Sequence, residues 1–161
     1  MSSAPKPAPR PPRPPVPPVA MFLFLLALGW WGNRIWPTSI PLLPAAIRVG
    51  LAMVLLATGA VFAATSMQGF VRAKTTVNPY GEASRLVTRG LYSISRNPFY
   101  VALVALLAGA GLLSANAWML AAAILLFVAL DLLAIRGEER FLGSRFGEEW
   151  NQYVRRVRRW L

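Results

Sequence analysis

Two short polar stretches interrupt an otherwise apolar sequence, and between them they hold the side chains best suited to chemistry. The first is Gly90-Leu91-Tyr92-Ser93-Ile94-Ser95-Arg96-Asn97-Pro98-Phe99-Tyr100. The second is Arg136-Gly137-Glu138-Glu139-Arg140, followed by Phe146-Gly147 and Tyr153. Arg96 offers a planar fork of donors that matches a carboxylate. Glu138 and Glu139 can accept from an ammonium or a hydroxyl. Tyr92, Tyr100, Phe146 and Tyr153 present aromatic faces, which attract a cationic centre and stack on a flat ring. The chain has no Cys and no His. Thiolate nucleophiles, Cys- or His-ligated metals and the usual neutral-pH base are therefore excluded. Chemistry falls to Arg, Glu, Asp, Tyr, Ser and the backbone. Four of the six acidic residues stand in the last 24 positions, which points to the C-terminal half.

Each stretch also has a plainer reading. Gly90 can break a loop, Asn97-Pro98 can start a helix, Arg96 can anchor at a membrane surface, and tyrosines commonly sit at that interface. Arg136 can pair with Glu139, and Glu139 with the neighbours of Arg140, in surface ion pairs worth about 0.3–0.5 kcal/mol each. Asp131 weighs against the plain reading. It lies within or at the edge of an apolar segment, where a lone carboxylate costs several kcal/mol and marks function. On a regular helix Asp131, Glu138 and Leu142 share one face and Glu139 points a quarter-turn away.

The elements that must position these groups are membrane helices. At 161 residues and 56% hydrophobic content, the composition predicts one all-α membrane domain with about four transmembrane helices and a cytoplasmic helical tail. The apolar segments run over about 19–36, 45–70, 98–113 and 117–135. A helix needs roughly 20 residues to cross the hydrocarbon; the second and fourth reach that, the first is marginal and the third is short. Only Ser114-Ala115-Asn116 separates the last two, which predicts a tight antiparallel hairpin with one polar stretch at each foot. Residues 1–18 hold nine of the 14 prolines and read as a disordered tail, not as a signal peptide.

Lys and Arg number 17 against six acids. In a membrane chain this excess marks anionic-lipid contact and orientation, not nucleic-acid binding. Basic residues cluster before the first helix, in the 71–97 loop and in the C-terminal tail, whereas the 114–116 turn has none. The expected topology is multi-pass, with both termini and the 71–97 loop in the cytoplasm. Trp30, Trp31, Trp36 and Trp118 then form an outer aromatic belt. Both polar stretches meet on the cytoplasmic side, in a region spanning about 86–161.

The ordered set resembles the isoprenylcysteine carboxyl methyltransferase and phospholipid methyltransferase superfamily of integral membrane enzymes. The resemblance covers about Thr75 to Leu161. It is carried by Thr75-Thr76-Val77-Asn78-Pro79, Leu86-Val87-Thr88-Arg89-Gly90-Leu91-Tyr92, Ser95-Arg96-Asn97-Pro98-Phe99-Tyr100, Glu138-Glu139-Arg140, Phe146-Gly147-Glu148-Glu149-Trp150, Tyr153 and Val157-Arg158-Arg159-Trp160-Leu161. Family members commonly carry Arg-His-Pro where this chain has Arg96-Asn97-Pro98. The Asn form resembles a bacterial branch, which implies a bacterial inner membrane.

The resemblance implies S-adenosylmethionine as cofactor and no metal. It implies that Gly90, Tyr92, Arg96, Asn97, Pro98, Tyr100, Glu138, Glu139, Phe146 and Tyr153 bind the cofactor, and that Arg96, Glu138 and Glu139 are catalytic. The tail caps the pocket, with Trp150 and Tyr153 turned inward. The acceptor is expected to be lipophilic: an isoprenylcysteine-type carboxylate, a thiol or a lipid amine. No Gly-rich dinucleotide loop is present, so the soluble methyltransferase fold is excluded. Two other readings stay open here, a membrane reductase of the sterol reductase type using NADPH and a small non-enzymatic four-helix protein.

Overall fold

A computed structural model describes residues 14–40, 43–72 and 86–161. Most of the proline-rich stretch, the Thr75–Pro79 motif and the basic residues Lys74 and Arg85 lie outside the described residues.

The chain is all-α. Helix α1 is Pro18–Ile35, α2 Ala45–Arg72, α3 Pro98–Leu113, α4 Ala117–Leu130, α5 Arg136–Phe146 and α6 Glu148–Arg156. A single 3-10 turn, Gly90–Ser93, precedes α3. Proline opens α1 and α3, where its missing N–H is one the helix leaves unbonded anyway. Asn116 caps α4: its Oδ1 accepts from the Met119 N–H at 3.1 Å, while its Nδ2 donates to the Gly29 carbonyl at 3.1 Å. One side chain thus starts a helix and ties it to α1.

The helices form an apolar bundle in which α2 packs on α3, α3 on α4, and α4 on α1. Leu107, Leu126, Leu130 and Ile135 are among its fully buried side chains. Close approach of α2 and α3 depends on two glycines. A Cβ on Gly59 would lie 2.7 Å from Leu106 Cγ, and one on Gly109 2.9 Å from Leu56 Cγ. Each helix presents a hole to the other's leucine, as small residues do in membrane bundles. The opposite faces expose Phe24, Val54, Ile124 and other large apolar side chains. Three apolar stretches, Pro18–Ile35, Ala45–Gln68 and Ala117–Phe146, are long enough to cross a bilayer, and α3 is a shorter apolar helix. The protein is therefore a multi-pass membrane protein whose exposed apolar faces meet lipid.

The apolar run ends at Ile135, but the helix does not. It continues through a π-helical turn, Asp131–Ile135, into α5. That turn corrects the expected face. A π turn takes up one extra residue, which displaces everything after it by about 100° relative to an α-helix. Glu139, not Glu138, therefore comes round to the Asp131 side.

Candidate functional site

The site forms where the foot of α3, the α4–α5 junction and the last residues of the chain converge. Gly90 opens the 3-10 turn at φ +67°, and Ser93 Oγ donates to its carbonyl at 2.7 Å. Beyond the turn, residues 95–97 lie alongside the chain end. The Arg96 N–H donates to the Arg158 carbonyl at 2.9 Å, within an isolated parallel bridge between Ser95 and Arg158. Asn97 Nδ2 donates to the Arg159 carbonyl at 3.0 Å. These contacts tie Arg96 to the chain end.

Arg96 Nη2 lies 3.1 Å from Glu139 Oε1, and the two side chains are 10% and 15% exposed. The same carboxylate takes a two-pronged contact from Arg159, Nη2 to Oε2 at 2.6 Å and Nε to Oε1 at 3.2 Å. Arg159 also reaches Asp131 Oδ1 through Nη1 at 3.2 Å. Trp160 Nε1 donates to that oxygen at 3.3 Å, and Arg136 Nε donates to Asp131 Oδ2 at 3.1 Å. The Glu139 carboxylate holds the Arg159 guanidinium above its ordinary range. Arg136 thus pairs with Asp131 and not, as the surface-pair reading expects, with Glu139, because the π turn carries Glu139 towards the tail.

Glu138 faces a different set. Tyr100 Oη donates to its Oε1 at 2.6 Å, and no arginine pairs with it among the described residues. The Tyr92 phenol lies close to Glu138, Tyr153 and the buried Ser66 of α2. Burial, then the neighbouring Tyr153 and Glu138, raise it well above the normal phenol range. Burial also pushes Tyr153 up to about 12, and its hydroxyl donates to the Tyr92 carbonyl at 2.6 Å. Both phenols are donors at neutral pH.

Helix α6 supplies an aromatic wall. Gly147, at φ +51°, makes the turn between α5 and α6 in a conformation that a side chain would strain. Trp150 and Tyr153 are buried with ring centroids 5.7 Å apart, edge to face. The Arg96 guanidinium lies 5.8 Å from the Trp150 ring centroid. Phe146 packs against the apolar cluster of Trp150, Tyr153 and Val157.

Of the residues singled out from the sequence, the fold gathers Tyr92, Arg96, Tyr100, Glu138, Glu139 and Tyr153. Asn97 is spent on the tail, Pro98 is buried at the start of α3, Gly90 is exposed in its turn and Phe146 belongs to the apolar cluster. Sequence reasoning missed Arg159, Trp160 and Ser66. Ser66 stands in a span that also holds Thr58, Thr65 and Gln68, so its hydroxyl gave no distinct signal. Arg159 and Trp160 lie in the Val157–Leu161 motif of the resemblance, but nothing there sets Arg159 apart from the other tail arginines until the chain end meets residues 95–97.

The phospholipid methyltransferase family matches residues 47–149, more than half of the chain, and takes in both polar stretches. The chain belongs to that family and is a membrane methyltransferase. The reductase and non-enzymatic readings fall away. No curated protein and no solved structure matches the chain.

Methyltransferases of this family generally draw their methyl group from S-adenosylmethionine, and the residues present fit it. The Nε of Arg96 is buried with no hydrogen-bond partner among the described residues. A buried donor left unsatisfied costs about 1–3 kcal/mol, which an arriving acceptor group recovers. The α-carboxylate of an amino-acid moiety is such a group.

Proposed function

We propose that this protein transfers a methyl group from S-adenosylmethionine to a lipophilic acceptor, with the cofactor lodged between the feet of α3 and α5 and capped by α6 and the chain end. The observation that carries this reading is the Arg96 guanidinium, buried beside Glu139 and Trp150 with one donor unused. When bound, the cofactor supplies a methyl group on a cationic sulfur, ready for in-line displacement.

The chain's own residues would bind and align. Arg96 takes the cofactor carboxylate, while Glu139, oriented by Arg159, meets the ammonium or ribose hydroxyls. Tyr92, Trp150 and Tyr153 provide faces for the adenine or the cationic sulfur. Asn97 and Pro98 act by fixing the start of α3 and the chain end, and so exclude water from the pocket. Glu138, which accepts from Tyr100 and pairs with no arginine among the described residues, is the carboxylate of the site placed to take a proton from an amine acceptor. A carboxylate acceptor needs no such step. Alignment and exclusion of water account for most of what a methyl transfer requires.

The acceptor is a membrane lipid or a lipid-linked acid, thiol or amine, entering sideways from the bilayer. Both termini and the site face the cytoplasm, where the cofactor is made. Reporter fusions after Leu161 should read cytoplasmic and one within 114–116 external. The activity itself is tested by incubating membranes that contain the protein with methyl-labelled cofactor and extracting the lipid. Label in the lipid fraction, absent with Arg96→Ala, is the expected result; equal label with and without the protein would remove the proposal.

A further inference from the structure

Outside the Arg159–Glu139 pair, on the side away from Arg96, an open groove of about 530 Å³ is lined by Leu132, Arg136, Glu139, Arg140 and Arg159. Glu139 and Arg159 form the wall it shares with the methyl-transfer site, and none of Arg96, Tyr100 and Glu138 lines it. The groove stands at a chemical boundary. Leu132 and Leu133, one turn before Arg136, are 50% and 47% exposed, and Phe127, packed at 4.4 Å on Trp160, continues the apolar surface along α4. Arg136 and Arg140 follow on α5, one turn apart.

The charges in the groove are unbalanced. Glu139 is shared by Arg159 and Arg96, and Asp131 is shared by Arg159 and Arg136. Arg140 pairs with no carboxylate among the described residues; its Nε donates to the Arg136 carbonyl at 3.1 Å, and none of those residues meets its terminal nitrogens. Three guanidinium groups therefore surround a concave opening whose lower edge is apolar. A free cation in that place attracts an anion with an apolar body, and arginine forks match phosphate oxygens. The bilayer holds such a molecule within reach.

We propose that this groove binds the phosphate headgroup of an anionic membrane lipid, held beside the methyl-transfer site and not within it. Its acyl chains lie along Leu132, Leu133 and Phe127, and its phosphate meets Arg140 and Arg136. Because Arg159 forms both a wall of the groove and one arm of the Glu139 pair, the lipid also steadies the partition between groove and site.

The test uses the full chain in nanodiscs of phosphatidylcholine doped with phosphatidylglycerol, with native mass spectrometry counting the lipid that survives gentle extraction. Phosphatidylglycerol should be retained in preference to phosphatidylcholine. Arg140→Ala should lower that preference about five-fold, the worth of roughly 1 kcal/mol per basic residue at an anionic surface. Arg155→Ala removes the same charge from the exposed face of α6 and should leave it unchanged. Equal losses in the two variants would reduce the effect to diffuse surface charge and overturn the site. Displacement of the retained lipid by inorganic phosphate would make it a site for free phosphate instead. Methyl label found on phosphatidylglycerol would make the occupant the acceptor and contradict its place beside the site. Lipid retention is read without methyl transfer, so failure here and failure of the proposed activity are distinguishable.

Discussion

The two ends of the helical bundle handle polar groups in opposite ways. Where α3 turns into α4, the polar groups are few and each is committed to the fold. Asn116 caps α4 and holds the Gly29 carbonyl of α1. The Arg48 guanidinium donates to the Leu112 and Leu113 carbonyls at the end of α3. Trp118 Nε1 donates to the Trp36 carbonyl at 3.0 Å. At the other end, Arg96 and Arg159 share Glu139, Arg159 and Arg136 share Asp131, and, among the described residues, Glu138 meets Tyr100 and no arginine and a buried Arg96 donor is unused. The same helices run through both ends, so the contrast does not come from the bundle. An end that only has to be stable satisfies itself. An end that has to bind keeps donors and acceptors in reserve, with backbone contacts to the tail supplying the rigidity.

The contrast breaks most completely when the tail is removed. Deleting residues 157–161 takes away the carbonyls that hold Arg96 and Asn97, the Arg159 fork and the Trp160 contact. Cofactor binding should fall below detection by calorimetry while helical content, read by circular dichroism in detergent, stays near that of the full chain. A truncated protein that binds like its parent would make the tail a mere anchor.

Asn116→Ala attacks the self-satisfied end. Losing the cap and the tie to Gly29 should destabilise the fold by about 1–3 kcal/mol. Thermal unfolding in detergent would register this, with cofactor affinity unaltered. A change in affinity with no change in stability would mean that the two ends are not separable.

A smaller effect is expected from Asp131→Asn, which keeps the shape and removes the charge that Arg136, Arg159 and Trp160 meet. Affinity for the cofactor should drop a few-fold, about 1 kcal/mol, through loosening of Arg159. The smallest effect belongs to Arg158→Ala. Its carbonyl does the structural work and its side chain is exposed, so binding and stability should both stay within about 0.5 kcal/mol of the parent.

How much of this was legible in the sequence follows from the distance over which each feature is determined. The all-α membrane fold was readable because apolar runs and proline starts are local properties, as at Pro98 and at the 114–116 turn. The gathering of Arg96 with Glu138 and Glu139 was readable too, since a tight hairpin must bring its feet together. The π turn was not: a shift of one hydrogen bond leaves no mark in composition, yet it decides that Glu139 and not Glu138 shares the Asp131 side. Arg159 was equally hidden. Its role depends on residues 158–159 lying beside 95–97, a pairing across some sixty residues with no periodic signal. Ser66 was missed because a lone serine in an apolar helix is commonplace, and only the fold shows it facing Tyr92.

The central claim is that Arg96, buried with a donor to spare, is where the cofactor carboxylate lands. Calorimetric titration of S-adenosylmethionine into this chain and its Arg96→Ala variant tests this most directly. The account predicts weaker binding by roughly 1.5–3 kcal/mol, the loss expected for a charge-assisted hydrogen bond, with the helical content of the variant unchanged. A variant that folds and binds with the affinity of the parent would contradict it.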